Sequence, residues 1–318
     1  MTRTRLFFAT DIHGSDRCFG KFLSAARIYK ANAIVLGGDI TGKMIVPIVK
    51  QDHGSYRVYL LGKEERPRND KELKAVMNTI KAVGYYPHIT NEGELDEMTK
   101  NPAKLRDMFQ KMMIDSVTNW MRQAEERLRG SDVKCFVSAG NDDEHYIDEA
   151  LRSSDVVVYP EGQVVRLDEV HEMASCGFTN MTPWKCPRDI PEEELEKKVE
   201  AVISKVENKQ NCILNFHCPP FGTTIDMAPK LTQELKPVLE PGGGMEMAPV
   251  GSTSVRKAIE RHQPLLGLHG HIHESKGVAK IGRTLCINPG SEYTEGILKG
   301  FLVEMDENGI RDYIFTSG

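Results

Sequence analysis

The 318-residue sequence lacks any long apolar segment. No stretch approaches the roughly 18 consecutive apolar residues that a membrane-spanning helix needs. The opening residues 1–5 are followed by only a handful of apolar residues before Asp11. This length predicts a first strand rather than a signal peptide. We therefore expect a cytoplasmic protein that has no membrane partner.

Paired cysteines and an excess of basic residues are also missing. The seven cysteines are scattered and form no C-x-x-C pair, which fits a reducing compartment where each Cys is a small core residue. The formal net charge is −5, so no overall basic field would recruit nucleic acid. The mixed-charge stretch 63–68 is interpreted as a solvated loop. With 40% hydrophobic residues, the chain can still bury a sizeable core.

What the sequence does contain is a series of five polar motifs, each after a short apolar run. Apolar runs bounded by glycine predict buried strands, and the ends of such strands meet in the crevice where open α/β sheets bind ligands. Any one motif alone is typical of a turn or of a hydrogen-bonded core histidine, but seven potential ligands in this order predict a metal site. The motifs are Asp11-Ile12-His13, Gly37-Gly38-Asp39, Gly140-Asn141-Asp142, His217 and Gly270-His271-Ile272-His273.

This order of D-x-H, G-D, G-N, a lone H and G-H-x-H resembles the calcineurin-like metallophosphoesterases. The resemblance covers the first 45 residues and nearly everything from residue 131 onward. Segments 215–220 and 288–293 further resemble an uncharacterised prokaryotic branch of that family. The resemblance implies an α/β protein with a four-layer αββα sandwich of two mixed β-sheets. One domain would span residues 1–318, with residues 44–130 inserted as a hairpin and helices that we expect to cap the site.

The resemblance also implies a centre with two divalent metal ions. Carboxylate and imidazole donors suit Mn, Fe, Zn, Co or Ni better than Mg alone, and Mn is the favoured ion. Paired ions make a bridging water acidic enough to be hydroxide near neutral pH, and they clamp phosphoryl oxygens. Two carboxylates against two dications leave a positive site that attracts a phosphate ester. The implied ligands are Asp11, His13, Asp39 and His273 for the first ion, and Asp39, Asn141, His217 and His271 for the second.

The chain is therefore predicted to be a hydrolase, with phosphodiester hydrolysis by a metal-bridging hydroxide as the leading hypothesis. A phosphomonoesterase or nucleotide pyrophosphatase is the alternative. A non-catalytic scaffold ranks last, because no ligand is missing. The expected partner is a small phosphate ester and not nucleic acid. The physiological substrate and a homo-oligomeric state stay open.

The proton donor departs from the family pattern. A His usually follows the Asn, where it can protonate the leaving group, but here the position is Asp142. An ordinary Asp is ionised at neutral pH and is a poor acid. His145 is a candidate substitute if the chain turns into a helix there, and a surface histidine is the equal alternative. A weak acid favours activated diesters, cyclic phosphates or anhydrides.

Several further residues are predicted near the centre. Lys43 is a candidate substrate contact, with a solvated loop lysine as the simpler interpretation. Arg17 lies on the first turn of a predicted helix, where anions are favoured. His269 either orients a ligand or is a hydrogen-bonded strand histidine. The loop from Asn288 is expected to support the metal centre without providing ligands.

The elements between the motifs are predicted from periodicity. We expect a hairpin over 46–61, an irregular stretch from Gly84, and a loop over 219–250. Tyrosines of the inserted segment offer aromatic surface above the site, or simply pack the segment onto the core. The predicted helices cover 15–29, 70–83, 102–129 and 192–208, and the stripe on the third of them is expected to pack against the main domain.

Overall fold

The computed structural model describes residues 3–318, and this part of the chain forms twenty strands and seven α-helices. The strands are β1 (Thr4–Ala9), β2 (Ala33–Gly37), β3 (Ile45–Lys50), β4 (Tyr56–Leu60), β5 (Lys63–Glu65), β6 (Tyr86–Thr90), β7 (Lys134–Ser138), β8 (Val157–Val158), β9 (Val164–Arg166), β10 (Glu172–Cys176), β11 (Thr179–Asn180), β12 (Asp189–Ile190), β13 (Cys212–Phe216), β14 (Met227–Pro229), β15 (Met247–Pro249), β16 (Leu266–Leu268), β17 (Gly277–Ile281), β18 (Thr284–Asn288), β19 (Lys299–Asp306) and β20 (Gly309–Ser317). The helices are α1 (Asp16–Ile28), α2 (Asp70–Ala82), α3 (Glu92–Lys100), α4 (Pro102–Leu128), α5 (Asp148–Leu151), α6 (Glu192–Ile203) and α7 (Thr253–His262).

Two six-stranded sheets form the centre of the molecule. The first has the order β20-β19-β1-β2-β7-β8 and the second has the order β17-β18-β16-β13-β10-β9. Both are mixed: β1 pairs in parallel with β2 and antiparallel with β19, while β10 pairs in parallel with β13 and antiparallel with β9. The predicted α/β architecture with two mixed sheets is confirmed.

The two sheets pack face to face, and helices cover their outer faces. Because successive strand residues point to opposite faces, Leu6 and Phe8 of β1 join Ile213 of β13 in the core between the sheets. Phe7, the residue between them, packs instead in the core that includes α1 and α4. The outer face of the second sheet packs against α6 and α7 in the same way. This arrangement gives the four layers α, β, β and α.

The inserted segment 44–130 forms more regular structure than the sequence predicts. Beyond the expected hairpin of β3 and β4, it contains a four-stranded sheet in the order β5-β4-β3-β6. The prediction of an irregular stretch after Gly84 is wrong in part. Strand β6 pairs in parallel with β3, and helix α3 follows β6. Pro87 and His88 obscure the alternation of apolar and polar residues in β6. The partner strand β3 lies about forty residues earlier, so no local pattern indicates the pairing.

The long helix α4 belongs to the outer layer of the sandwich. It begins where Asn101 accepts a hydrogen bond from the Lys104 amide and Pro102 occupies the first turn. Its buried stripe includes Trp120, whose ring stacks on Phe19 of α1 at 4.4 Å between centroids. Helix α4 therefore covers the first sheet. Although it lies within the inserted segment, it packs as part of the main domain.

Two further boundaries differ from the sequence prediction. Helix α6 ends at Ile203 and not at 208, because the amides of Glu207 and Asn208 donate to the Glu172 carboxylate instead of continuing the helix. The predicted loop 219–250 contains the short ribbon of β14 and β15. Within residues 3–318, no helix is both long and apolar enough to span a bilayer.

Candidate metal centre

The five sequence motifs meet at one edge of the two sheets. Asp11, Asp39 and Asn141 follow β1, β2 and β7 of the first sheet. His217 and His271 follow β13 and β16 of the second. All five strands are parallel to one another within their own sheets, so their carboxyl ends lie on the same side. The centre therefore bridges the two sheets.

The backbone at the centre is held in an unusual conformation. Four non-glycine residues have positive φ, with values of 54° at Asp11, 38° at His13, 50° at Asp39 and 69° at His271. Residues other than glycine rarely adopt this left-handed backbone conformation, and those that do cluster at functional sites. The surrounding structure thus fixes four of the predicted ligands in a costly backbone geometry.

Two motif glycines leave room for the carboxylates. A Cβ atom on Gly140 would lie 2.2 Å from Asp39 Oδ1, and one on Gly270 would lie 2.4 Å from Asp11 Oδ2. Such distances are far inside van der Waals contact, so no other residue fits at either position without moving a carboxylate. The glycines of the G-N and G-H-x-H motifs are needed for close approach.

The predicted ligands form two groups of donor atoms. Asp11, His13 and His273 make one group, and Asp39, His217 and His271 make the other, with all atoms of a group within 4.8 Å of one another. In the first group, the Nε2 atoms of His13 and His273 lie 3.0 Å apart, a separation at which both can bind the same cation.

Asp39 lies between the two groups. Its Oδ1 is 3.3 Å from His217 Nε2 in one group, and its Oδ2 is 3.8 Å from His13 Nε2 in the other. Asp11 Oδ1 is 3.5 Å from His273 Nε2 and 3.8 Å from His217 Nε2. The two carboxylates thus face both sets of imidazoles, as a shared ligand would.

Several buried donor atoms have no partner within the described part of the protein. These atoms include Asn141 Oδ1 and His217 Nε2. The opposite end of each side chain is fixed: Asn141 Nδ2 donates to Asp189 Oδ1 at 2.9 Å, and His217 Nδ1 lies 3.0 Å from the Gly37 carbonyl. A buried polar atom without a partner is costly. Atoms that are oriented in this way fit a divalent cation, and the donor set of Asp, Asn and His is one that such ions accept.

The histidines of the centre differ in pKa. Burial lowers the pKa of His13 to about 3, and burial together with the neighbouring His217 lowers the pKa of His271 to about 4. Burial would also lower the pKa of His217, but the carboxylates of Asp39 and Asp11 raise it to about 10. His217 is therefore protonated near neutral pH, beside the carboxylates of Asp39 and Asp11.

The structure brings Asp142 and Lys43 to this centre. Asp142 forms a third donor group with His13 and Asp39, and its Oδ2 lies 3.8 Å from His13 Nδ1. The Lys43 ammonium contacts the same oxygen. Burial would lower the pKa of Lys43, but the Asp142 carboxylate raises it. A carboxylate and an ammonium therefore lie together at the edge of the centre.

The other two candidates lie elsewhere. His145 is exposed in a short 3₁₀ turn, and its aromatic neighbour is Phe178 at 6.0 Å between centroids. Arg17 is exposed and lies against Gly296, where an added Cβ would be 2.6 Å from Arg17 Cδ. Neither residue is part of the donor groups found among the described residues. Their roles in proton donation and phosphate binding stay predictions.

Sequence reasoning missed two acidic residues that hold the centre together. Asp143 is fully buried and accepts hydrogen bonds from the amides of Ile40, Thr41 and Gly140, which ties the second motif to the third. Burial raises its pKa to about 6. Asp189 orients Asn141 from 48 positions away. Asp143 was visible as the second acid after Asn141, whereas nothing in the sequence links Asp189 to the centre.

The loop from Asn288 and the residue His269 support the ligands. Asn288 donates to the carbonyls of Gly270 and Ile272, on either side of His271. His269 Nδ1 lies 2.8 Å from the Phe216 carbonyl and 3.0 Å from that of Cys218. These carbonyls flank His217, so His269 fixes the backbone on either side of a predicted ligand.

Sequence comparison finds a relative for part of the chain. No family model matches the chain. The uncharacterised protein MJ1162 of Methanocaldococcus jannaschii is 34% identical over 137 residues, which cover 42% of this chain and 55% of that protein. The match thus spans about half the length of the relative.

Solved structures align over nearly the whole chain. One aligns with 99% of both chains at a TM-score of 0.57 and 15% identity. The protein TT1561 of Thermus thermophilus also aligns with 99% of both chains, at a TM-score of 0.53 and 13% identity. These two similarities show a shared fold. The phosphoesterase YfcE of E. coli aligns with 98% of both chains at 13% identity and a TM-score of 0.33.

Proposed function

We propose that this chain hydrolyses phosphate esters, and phosphodiesters in particular, at a centre that binds two divalent cations, with Mn²⁺ favoured. The observation that carries the proposal is the position of Asp39, whose two oxygens face histidines of different donor groups. A single ion would need only one of these groups. The unpartnered buried atoms Asn141 Oδ1 and His217 Nε2 support it, because each is oriented towards a position that a cation would fill.

The residues of the centre have distinct tasks. A bound pair of divalent cations supplies Lewis acidity, which acidifies water and neutralises charge on phosphoryl oxygens. Asp11 and Asp39 hold negative charge between the histidines, and Lys43 offers a partly exposed ammonium at the rim. Asp142 pairs with this ammonium, so its carboxylate faces Lys43 and not the leaving group of a substrate. This pairing favours substrates whose leaving group needs little protonation.

Activity with added metals tests the proposal. Metal-free protein should not hydrolyse bis(4-nitrophenyl) phosphate, and adding Mn²⁺ should restore hydrolysis. EDTA should abolish it again. 4-Nitrophenyl phosphate, the matching monoester, measures the alternative phosphomonoesterase activity in the same assay. A chain that binds Mn²⁺ but cleaves neither substrate nor a nucleotide anhydride would refute a catalytic role.

We also propose that the inserted segment 44–130 helps to choose the substrate. It meets the centre at Gly84, where an added Cβ would lie 2.1 Å from the His13 carbonyl. Tyr85, the next residue, is partly exposed. Replacing Tyr85 with Ala should change the ranking of diester substrates and leave Mn²⁺ binding intact. The matched control is Tyr59→Ala, since Tyr59 is exposed on β4. Identical rankings in both variants and the wild type would contradict this role.

A further inference from the structure

We propose that Tyr293 and the cavity beside it bind an organic group of the diester, and that this group is an uncharged ring system of nucleoside size. The inference rests on the proposed phosphodiesterase activity and names the class of substrate. It follows from where the metal centre opens, how Tyr293 is held, and which charges line the cavity.

The centre is open on the side of His273. The His273 side chain is 31% exposed, whereas that of His13 is 1% exposed. His273 also forms the start of a cavity of about 480 Å³, whose other walls come mainly from residues 289–295. This volume lies within the range of roughly 300–1,000 Å³ that small-molecule sites occupy. A substrate whose phosphate lies at the donor groups would therefore extend one of its ester groups into this cavity.

Tyr293 is fixed at the boundary between the centre and the cavity. Its ring centroid lies 4.8 Å from that of His13 and 6.0 Å from that of His273. The loop that carries it is tied down by Ser291, whose hydroxyl donates to the Asp11 carbonyl at 2.6 Å and whose amide donates to the His273 carbonyl at 3.2 Å. The ring is only half-buried, so it presents aromatic surface to whatever enters the cavity. A ring in this position favours a flat partner.

The charges in the cavity disfavour a second phosphate. Its lining contains Glu274, Glu292 and Glu295 against two lysines, Lys276 and Lys299. Three carboxylates against two ammonium groups leave one negative charge. Lys299 Nζ already pairs with Glu292 at 2.8 Å. Like charges repel a phosphoryl group, whereas the carboxylates accept hydrogen bonds from hydroxyl groups. The lining therefore suits a neutral group that carries hydroxyls, as a nucleoside does.

Two diesters with the same leaving group test the inference in the Mn²⁺-loaded protein. Thymidine 5′-(4-nitrophenyl phosphate) carries the ring system, and methyl 4-nitrophenyl phosphate does not. In Tyr293→Leu, we expect KM for the thymidine diester to rise about tenfold, while KM for the methyl diester changes less than about twofold, because only the first loses a stacking partner. Tyr293→Phe should keep the wild-type ratio, since it keeps the ring. Tyr59→Leu, on the exposed face of β4, is the control for loss of a tyrosine.

Binding provides a second measurement that does not depend on turnover. Calorimetry with thymidine 5′-phosphate and with inorganic phosphate should give a Kd ratio that favours the nucleotide in the wild type and falls about tenfold in Tyr293→Leu. A ratio that Tyr293→Leu leaves unchanged, or equal rises in KM for both diesters, would overturn the inference and leave the hydrolase intact. If the Mn²⁺-loaded wild type cleaves neither diester, the proposed function fails, and the binding ratio alone decides whether the cavity takes a nucleoside.

Discussion

The two donor groups contain the same kinds of residue but are held in different ways. Each group has two buried side chains and one half-buried histidine, which is His271 in one group and His273 in the other. In the group of Asp39 and His217, which Asn141 joins, hydrogen bonds to Asp189 and the Gly37 carbonyl fix Asn141 and His217. The other group is that of Asp11, His13 and His273. The Lys43–Asp142 pair and the cavity lie beside this second group. We infer that the hydrogen-bonded group of Asp39 and His217 anchors a cation and that the group beside the cavity meets the substrate.

Removing the shared ligand should have the largest effect, because Asp39 faces both groups. We expect Asp39→Ala to lower the rate of bis(4-nitrophenyl) phosphate hydrolysis by at least about 1,000-fold and to reduce the bound Mn²⁺ below two per chain. Metal analysis after gel filtration and the initial rate measure these two effects. Asp155→Ala is the control, because Asp155 pairs with Arg129 at an exposed position. Full activity in Asp39→Ala would refute the assignment.

A smaller loss should follow from weakening only the anchored group. Asp189→Ala removes the acceptor that orients Asn141, and losses of this kind typically lower metal affinity about 10- to 100-fold. Titration with Mn²⁺ should show one weakened site and one near the wild-type affinity. His269→Ala should act in the same range through the carbonyls beside His217. If either variant lost as much bound Mn²⁺ as Asp39→Ala, the predicted ranking of these residues would be wrong.

Proton release should accompany metal binding at the anchored group. The pKa of His217 is raised to about 10, so in the metal-free protein His217 holds a proton through the neutral range. A metal ligand must be neutral, and binding therefore displaces that proton. Lowering the pH by one unit should weaken Mn²⁺ binding about tenfold for each proton released. Calorimetry in buffers of different ionisation enthalpy counts the protons, and a count of zero near neutral pH would contradict this charge state.

The smallest effect is expected outside both groups. His145 is exposed and packs near Phe178, so His145→Ala should change the hydrolysis of an aryl diester by less than about twofold. The informative comparison is a dialkyl ester, whose leaving group needs a proton. If this substrate alone slows markedly, His145 is the proton donor. If His145→Ala affects both substrates equally, another group or water donates the proton to the leaving group.

The residues that meet at the centre could be predicted from sequence because each belongs to a local pattern. A buried strand followed by glycine and a polar residue is visible within a short segment, and the resemblance supplies the order. The amphipathic helices were predictable for the same reason, with ends within a few residues. Helix α6 ended early because Glu172, on another strand, accepts hydrogen bonds from residues 207 and 208.

The features that the sequence did not reveal depend on contacts between distant segments. Asp189 meets Asn141 across 48 residues, and Lys43 of the first half meets Asp142 after the whole insertion. Strand β6 is recognisable only beside β3, its parallel partner. Periodicity describes how one segment faces its surroundings, and it does not say which other segment provides the partner.

The central claim is that Asp39 lies between two cations, and electron paramagnetic resonance of the Mn²⁺-loaded protein tests it most directly. The wild type should bind two Mn²⁺ per chain and show the spectrum of an exchange-coupled pair. Asp39→Asn should weaken the coupling even where both ions remain bound, because the carboxylate that faces both donor groups is gone. A single bound Mn²⁺, or two uncoupled ions in the wild type, would contradict the account.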